Sequence, residues 1–401
     1  RQEGYLSTGN ERRSSERGHT GQYVQMKSEL NGGTNMRVRL IEQSDINECI
    51  NFQALDGKRR TFDQWAWEFL TFDRVCPPFV IVEDNDRVLG TQALIPIRMI
   101  DREGIYWSAK SEETLLDPSL RGKNMFKAMY DVLFEYAEKQ DFAVIWGFTP
   151  ATRAFEKLAF EVPCKTTQLF LPFSPASLDI ILPSVVNSGR LKKVAYRTAL
   201  RLAGLLSRAK LGIAPTKCRN LKKDLLIKTL EASPQEAGQL CRQFIKQWGG
   251  TTIFRDEAYL KWRIFDNPYI KPVVRGSFYK GNLIGWIAYT IDENSMGYIV
   301  DIFLSSELLD QTQLSYVLKE MIRDAAIRMR KCGALGIRAW HLNNHPFDQA
   351  VLRAACSVGF FHIKRGESVV FRLMDAGAER VALKSFDNWY VNRIFTEGDL
   401  G

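Results

Sequence analysis

The sequence has little with which to build disulfides, metal centres or membrane spans. Its seven cysteines stand singly among 401 residues, without a C-x-x-C pair, and only four histidines are present. Scattered cysteines of odd number indicate reduced thiols instead of a disulfide framework or a zinc ligand set. No run reaches the roughly 18 apolar residues of a membrane-spanning helix, and the N-terminus has no apolar signal-peptide core. We therefore expect a cytoplasmic protein.

Several common catalytic motifs are missing as well. Neither G-x-G-x-x-G nor G-x-x-x-x-G-K-[ST] occurs, which excludes the usual Rossmann and P-loop phosphate sites. G-x-S-x-G is absent and the cysteines have no evident His partner, so no Ser or Cys nucleophile is predicted. His341 and His345 are four positions apart, but Pro346 favours a loop over a helix there. We expect no metal site.

The composition that is present suits a globular protein with acidic partners. Hydrophobic residues make up 45% and charged residues 25% of the chain, a balance that supports a sizeable core. The 55 basic residues exceed the 46 acidic ones, for a formal net charge of +9. Such an excess favours nucleic acid, an anionic membrane surface or a phosphate-rich cofactor, without choosing between them.

An internal repeat dominates the organisation of the chain. Four anchor residues recur at one displacement of 195 positions: Trp67, Pro77, Gly90 and Ala93 return as Trp262, Pro272, Gly285 and Ala288. A period this long indicates duplication of a whole domain, because solenoid repeats are much shorter.

Composition and periodicity then divide the chain into five segments. Residues 1–35 are polar and aperiodic, which predicts a disordered tail. Two mixed α/β domains are predicted at 36–173 and 222–374, joined by a basic helical connector at 174–221 and followed by a C-terminal tail at 375–401.

The connector contains a basic amphipathic segment at 187–212. It carries seven Lys or Arg residues and no acidic residue, and its apolar positions recur at helical spacing. One interpretation is a helix that lies on an anionic membrane or against a nucleic-acid backbone. The other is a connector helix that packs its apolar stripe on a neighbouring domain.

The segment 114–133 (TLLDPSLRGKNMFKAMYDVL) carries the clearest chemistry. It reads as a strand, a Pro that ends the strand, a basic glycine-containing turn, and a helix that begins directly after the turn. Arg121, Gly122, Lys123 and Asn124 would present backbone N–H groups at a helix N-terminus, where the helix dipole favours a pyrophosphate.

This segment resembles motif A of the GNAT superfamily of acyl-CoA-dependent N-acyltransferases. The family pattern is an apolar strand, a Pro, and then [Arg/Gln]-x-x-Gly-x-[Gly/Ala], which residues 116–124 (LDPSLRGKN) follow with Asn124 in place of the central Gly. Residues 154–160 (AFEKLAF) are similar to the family's closing A-x-Y-E-K-L-G-F passage, and 357–360 (SVGF) stand at the equivalent place of the second copy. The resemblance covers about residues 36–173 and 222–374. With Phe126 in the loop, and with Asn388, Trp389, Tyr390 and Asp399 in the tail, the chain looks most like the two-domain GNAT proteins encoded with surface-polysaccharide genes.

The resemblance implies an α/β fold of two tandem GNAT-like domains and one site for acetyl-CoA or another acyl-CoA. The second copy lacks the Arg-x-x-Gly turn, so only the first is expected to bind the donor. The implied cofactor-binding residues are Thr114, Leu116, Arg121, Gly122, Lys123, Asn124, Met125 and Phe126.

The implied reaction is acyl transfer to a small-molecule amine, such as a nucleotide- or lipid-linked amino sugar in polysaccharide biosynthesis, and not to nucleic acid. Glu112 and Glu113 are the candidate bases, with Glu113 preferred; strand alternation would turn one of them toward the substrate cleft. The other interpretation is a solvent-facing carboxylate. Phe155 stands where many family members carry a Tyr acid.

Two alternatives to this enzyme stay open. Asn124 and Phe155 favour a degenerate tandem GNAT that binds a CoA-like or anionic ligand, or a membrane surface, without turnover. Aminoacyl transfer from tRNA on a double GNAT fold has only the basic connector in its favour.

Overall fold

The structure is a computed structural model. It describes residues 36–70, 79–181, 190–212, 219–342, 344–363 and 366–395. The predicted disordered tail at 1–35 lies outside the described residues.

Alternating and continuous apolar runs form the strands of the first half, and amphipathic runs form its helices. The strands are β1 (Met36–Leu40), β2 (Phe79–Asp84), β3 (Arg87–Asp101), β4 (Gly104–Leu116), β5 (Val144–Thr149) and β6 (Thr167–Pro172). The helices are α1 (Ile46–Leu55), α2 (Phe62–Phe69), α3 (Met125–Lys139), α4 (Thr152–Glu156) and α5 (Ser177–Ile181). The connector forms α6 (Arg190–Gly212) and α7 (Arg219–Asp224).

The second half repeats this order with an added C-terminal segment. Its strands are β7 (Leu225–Thr229), β8 (Thr251–Ile253), β9 (Val273–Tyr279), β10 (Asn282–Ile291), β11 (Met296–Leu304), β12 (Gly336–His341), β13 (Phe361–Ile363), β14 (Ser368–Leu373) and β15 (Trp389–Tyr390). Its helices are α8 (Ala237–Trp248), α9 (Glu257–Leu260) with a π-helical turn at Lys261–Phe265, α10 (Gln311–Lys331) and α11 (Pro346–Val358).

The strands form two mixed sheets, and each half contributes a late strand to the sheet of the other half. The first sheet has the order β1-β2-β3-β4-β5-β14, and the second has the order β13-β6-β12-β11-β10-β9-β7. Strand β6 of the first half therefore pairs with β12, and β14 of the second half pairs with β5. The predicted domain boundaries stay a prediction, because sheet membership crosses them.

The repeat anchors Trp67 and Trp262 are in contact where the two halves join. The Trp67 indole donates to the Trp262 carbonyl at 3.1 Å, and the Trp262 indole donates to the Trp67 carbonyl at 2.8 Å. Reciprocal bonds between residues 195 positions apart show a local pseudo-twofold relation between the two copies.

The described part of the predicted C-terminal tail is packed into the core. Trp389 and Tyr390 are fully buried, and β15 pairs in parallel with β8. The assignment of 375–401 as a separate tail stays a prediction, and the aromatic side chains of its described part bury large apolar surfaces.

Candidate functional site

The basic turn between β4 and α3 is held in shape by short local hydrogen bonds. The Asp117 carboxylate accepts from the Ser119 amide at 2.9 Å, and the Leu120 side chain is buried beneath the turn. The Arg121 and Lys123 amides donate to the Pro118 and Leu120 carbonyls, both at 3.2 Å. These two amides are therefore used inside the turn, so the expectation that four successive N–H groups face a ligand holds only in part.

The turn reaches α3 through two left-handed residues. Gly122 has φ 80°, and Asn124 has φ 59° and ψ 14°. Gly adopts this region freely, and Asn enters it more readily than most other residues. Asn124 therefore takes a left-handed conformation at the position where the family pattern has Gly.

The N-terminus of α3 is open toward solvent. The first helical bond runs from the Ala128 amide to the Asn124 carbonyl at 3.0 Å, so the Met125, Phe126 and Lys127 amides precede the helical ladder. Within the described chain, the Asn124 side chain makes no capping hydrogen bond to this turn. Residues 121–124 are exposed, and no described atom lies within 4 Å of a Cβ placed on Gly122. A free helix N-terminus beside two exposed cations is a suitable site for a phosphate anion.

Strands β4 and β5 stop pairing before β4 reaches the turn. They pair at Ala109↔Ile145 and Lys110↔Trp146, whereas β4 continues to Leu116. In the described ladder, the main chain of Thr114 and Leu116 has no partner on β5. The parting leaves a cleft along β4 that an extended ligand could enter by main-chain pairing.

A β-bulge lies beside this cleft. Thr91 pairs with Leu115 and Ala93 with Glu112, so that Glu113 and Thr114 together oppose Gln92. Glu113 has φ 56°, a left-handed value that is uncommon for a residue of this type. The buried Gln92 side chain fixes the bulge, since its amide donates to the Glu112 carbonyl at 2.9 Å and its oxygen accepts from the Thr114 hydroxyl. Bulges of this kind re-aim side chains and often border active sites.

The bulge changes the placement of the two candidate carboxylates. Glu112 forms an ion pair with Lys110, whereas Glu113 lies 2.6 Å from Arg60 and 3.1 Å from Lys58. Both carboxylates are buried. The bulge breaks the expected strand alternation, and neither carboxylate is the solvent-facing group of the competing interpretation.

The ion pairs of Glu113 continue toward the second half. Arg60 also lies 3.4 Å from the buried Glu68, and the Tyr269 hydroxyl donates to the same Glu68 carboxylate at 3.2 Å. Burial and the Glu68 charge raise the pKa of Tyr269 above its ordinary value. A second-half residue thus borders the carboxylate cluster next to the cleft.

The position of the expected acid is filled by an aromatic cluster. Phe155 is buried and its ring lies 5.3 Å from Phe126 and 5.6 Å from Tyr130, both centre to centre. The Tyr130 hydroxyl lies 2.6 Å from the Ser111 hydroxyl on β4. Burial raises the pKa of this phenol, so it stays protonated at neutral pH. Tyr130 is not among the residues predicted from the sequence. Its position on the inner face of an amphipathic helix beside the motif is the signal that could have indicated it.

The matching region of the second half is closed by the protein itself. Strands β11 and β12 part after the pair Tyr298↔Arg338. The Arg393 guanidinium lies 4.8 Å from the Tyr298 ring centre and 5.2 Å from that of Trp340. The Asn392 amide donates to Asp301 of β11 at 2.5 Å. The C-terminal segment therefore occupies the gap that stays open in the first half.

The histidines of the 341–345 segment do not converge. His341 lies 3.0 Å from Asp348, whereas His345 begins α11 and accepts from the Phe347 amide at 3.2 Å. The described residues contain no group of three or more His, Cys, Asp or Glu side chains arranged to hold a metal. No helix in the described part of the chain is long and apolar enough to cross a bilayer.

Comparison of the structure with solved proteins identifies its architecture. A conserved protein of Enterococcus faecalis V583, described as a probable N-acyltransferase, is similar with a TM-score of 0.57 at 9% identity, over 85% of this chain and 72% of that one. The chain has the fold of GCN5-related N-acetyltransferases. Two proteins described as such are similar: one from Anabaena variabilis ATCC 29413 (TM-score 0.56, 11% identity, 84% of this chain and 72% of that one) and one from Kribbella flavida (0.54, 11%, 86% and 72%).

No family profile and no curated protein matches the sequence. The structural likeness at these identities shows the fold alone. It confirms the predicted α/β class with mixed sheets of the GNAT type, and the two sheets agree with two tandem copies.

Proposed function

We propose that the first half binds an acyl-CoA and transfers its acyl group to an amine. The observation that carries this proposal is the open N-terminus of α3, which follows a left-handed basic turn at the end of a parted strand. Acetyl-CoA is the simplest donor, and the thioester supplies an activated acyl group when it is bound.

The residues of the turn fit the phosphates of such a donor. Arg121 and Lys123 are exposed and bring two positive charges, and the amides of Met125 and Phe126 lie at the positive end of the helix dipole. Thr114 and Leu116 offer main-chain groups along β4. The donor would thus meet charge at one end and main-chain pairing along its length.

We assign proton removal from the acceptor to Glu112 ahead of Glu113. Glu113 already binds two cations, Arg60 and Lys58, and it connects β4 to the segment between α1 and α2. Glu112 has one ion-pair partner, Lys110, and stands opposite Ala93 at the edge of the bulge. A buried carboxylate near a parted strand is a reasonable general base.

The acceptor class is inferred from the net charge of the chain and from the family resemblance. The formal charge of +9 and the resemblance to polysaccharide-associated proteins support a phosphate-bearing amino sugar, nucleotide- or lipid-linked, as the acceptor. The hydrogen bond from Tyr269 to Glu68 supports a contribution of the second half to acceptor binding. Mass spectrometry of reactions with a panel of amino-sugar nucleotides, peptides and small amines tests this choice, and acylation of peptides alone would contradict it.

Calorimetric titration with acetyl-CoA and with CoA tests the donor site. We expect one saturable site, and Arg121→Glu should weaken it at least tenfold, because a charge-assisted contact contributes about 1.5–3 kcal/mol and its reversal adds repulsion. Arg353→Glu makes the same charge change at an exposed position of α11 and should leave the affinity unchanged. Equal affinities of the two variants would contradict the assignment of the turn.

A second candidate function is binding without turnover. It is favoured by the ion-paired state of Glu113 and by the Phe155 ring packed where the expected acid would stand. Saturable acetyl-CoA binding with no acyl transfer to any amine in the panel would select this function.

A further inference from the structure

The connector helix α6 is anchored along one side. Gly204, Ser207 and Leu211 are buried. The Ser207 hydroxyl donates to the Gly359 carbonyl at 3.3 Å, and the Arg323 guanidinium donates to the Leu211 carbonyl at 2.8 Å. These contacts therefore hold α6 in place against the second sheet.

The opposite side of α6 exposes its apolar residues. Val194, Leu202, Leu205 and Leu206 are 62%, 58%, 59% and 66% exposed. At about 100° per residue they fall within an arc of about 120°. The exposed Ala195 and Ala209 share that arc, and the exposed Ala199 lies just beyond its edge. Single exposed leucines are ordinary, but a contiguous apolar stripe along a helix marks an interaction surface.

Positive charge borders this stripe. By the same helical geometry, the exposed Arg201 and Lys210 lie on opposite margins of the arc. The 23-residue helix contains seven Lys or Arg residues and no Asp or Glu. An apolar face between cations is the arrangement of helices that lie in the interface of an anionic bilayer.

We propose that this face of α6 docks on the surface of an anionic lipid bilayer. Charge complementarity selects this occupant. A second copy of the chain would bring another Arg201 and Lys210 against the same positively charged margins, and a nucleic-acid backbone would use the cations while leaving the leucines in water. The proposal does not depend on acyl transfer, since α6 contributes no residue to the cleft of the first half.

Sedimentation of the full chain with vesicles tests the proposal. Vesicles of phosphatidylcholine mixed with phosphatidylserine should bind the protein at least tenfold more tightly than phosphatidylcholine alone, and added salt should weaken the binding. The apolar contribution is tested by the combined change Leu202→Ser, Leu205→Ser and Leu206→Ser. Its control is Leu55→Ser with Leu308→Ser, two leucines 79% and 59% exposed outside α6.

The charge contribution is tested by Arg201→Glu with Lys210→Glu. Its control is Arg353→Glu with Lys384→Glu, which makes the same change of net charge at exposed positions elsewhere. Both α6 variants should lose at least tenfold in partitioning to anionic vesicles, and both controls should bind as the unchanged chain does. All substituted side chains are exposed, so circular dichroism should report native folding.

Three results would overturn the proposal. The first is no sedimentation of the unchanged chain with anionic vesicles. The second is equal binding by the α6 leucine variant and its control. The third is a concentration-dependent dimer, or tight binding to RNA, that the α6 leucine variant abolishes while vesicle binding is unaffected.

Discussion

The beginnings of α3 and α10 differ in whether a side chain caps the first turn of the helix. In the first half, left-handed Asn124 leads into α3 without a side-chain cap. In the second half, the Asp310 carboxylate accepts from the Gln313 amide at 2.9 Å and caps α10. A carboxylate at this position supplies the negative charge that a phosphate would otherwise supply.

The parted strands show the same difference. Beyond Lys110 the described ladder pairs no residue of β4 with β5, whereas Tyr390, Asn392 and Arg393 lie against β11. Opposite equivalent alanines, Glu112 stands in the first half and Asp301 in the second. Asp301 is fully hydrogen-bonded, with Arg255, Trp286 and Asn392 as its partners. The comparison indicates that the second copy occupies, with residues of its own chain, the positions at which we propose ligand binding in the first copy.

The largest expected effect follows from breaking the buried pair of the second half. Asp301→Asn leaves the Arg255 charge uncompensated in a fully buried site, and it should cost about 3–5 kcal/mol in the free energy of unfolding. Urea denaturation measures the loss. A cost under about 1 kcal/mol, the range of an exposed ion pair, would contradict a structural role for Asp301.

The corresponding change in the first half should act on turnover. Glu112→Gln is expected to lower kcat about a hundredfold, the scale of a lost general base, with little change in CoA affinity. Glu135→Gln, which alters an exposed carboxylate beside Lys139, is the matched control. Unchanged kcat in the Glu112 variant would return that residue to an ion-pairing role and favour binding without turnover.

The left-handed turn predicts a smaller effect on affinity. Asn124→Ala forces an ordinary residue into φ 59° and should cost about 1–2 kcal/mol, which is about tenfold in CoA affinity if binding needs this geometry. Asn124→Gly keeps the conformation and should bind at least as well as the unchanged chain. Calorimetry compares the three proteins, and equal affinity of the Ala variant would show that the turn does not position the ligand.

The smallest effect is expected at Tyr130. Tyr130→Phe removes the hydroxyl bonded to Ser111 but keeps the packed ring, so stability should fall by about 1 kcal/mol. If the phenol donates toward the leaving group, kcat should fall further than that loss of folding explains. A variant with unchanged kcat and lowered stability would assign Tyr130 to packing alone.

Much of the first copy could be predicted because the sequence signals that specify it are local. The Pro that ends β4, the basic turn, the amphipathic pattern of α3 and the tolerance of Asn124 for a left-handed backbone all depend on residues a few positions apart. The helix predicted directly after the turn appears as Met125–Lys139. The anchors displaced by 195 positions indicated duplication, and Trp67 and Trp262 meet as reciprocal partners.

The bulge and its consequences could not be predicted in this way. Period-two alternation separates Glu112 from Glu113, but two residues of β4 oppose Gln92 and the alternation fails. The ion pair of Glu113 with Arg60 joins positions 53 residues apart, and no local pattern signals such a contact.

The sequence by itself determined a duplicated α/β chain with one basic, glycine-containing turn before a helix, because periodicity, turn chemistry and repeat spacing are properties of neighbouring residues or of direct comparison along the chain. The tertiary structure alone decided the exchange of β6 and β14, the closure of the second cleft by Arg393, and the exposure of the Leu202 side of α6. Each of these depends on which distant surfaces meet, and that choice is made by packing and desolvation over the whole fold.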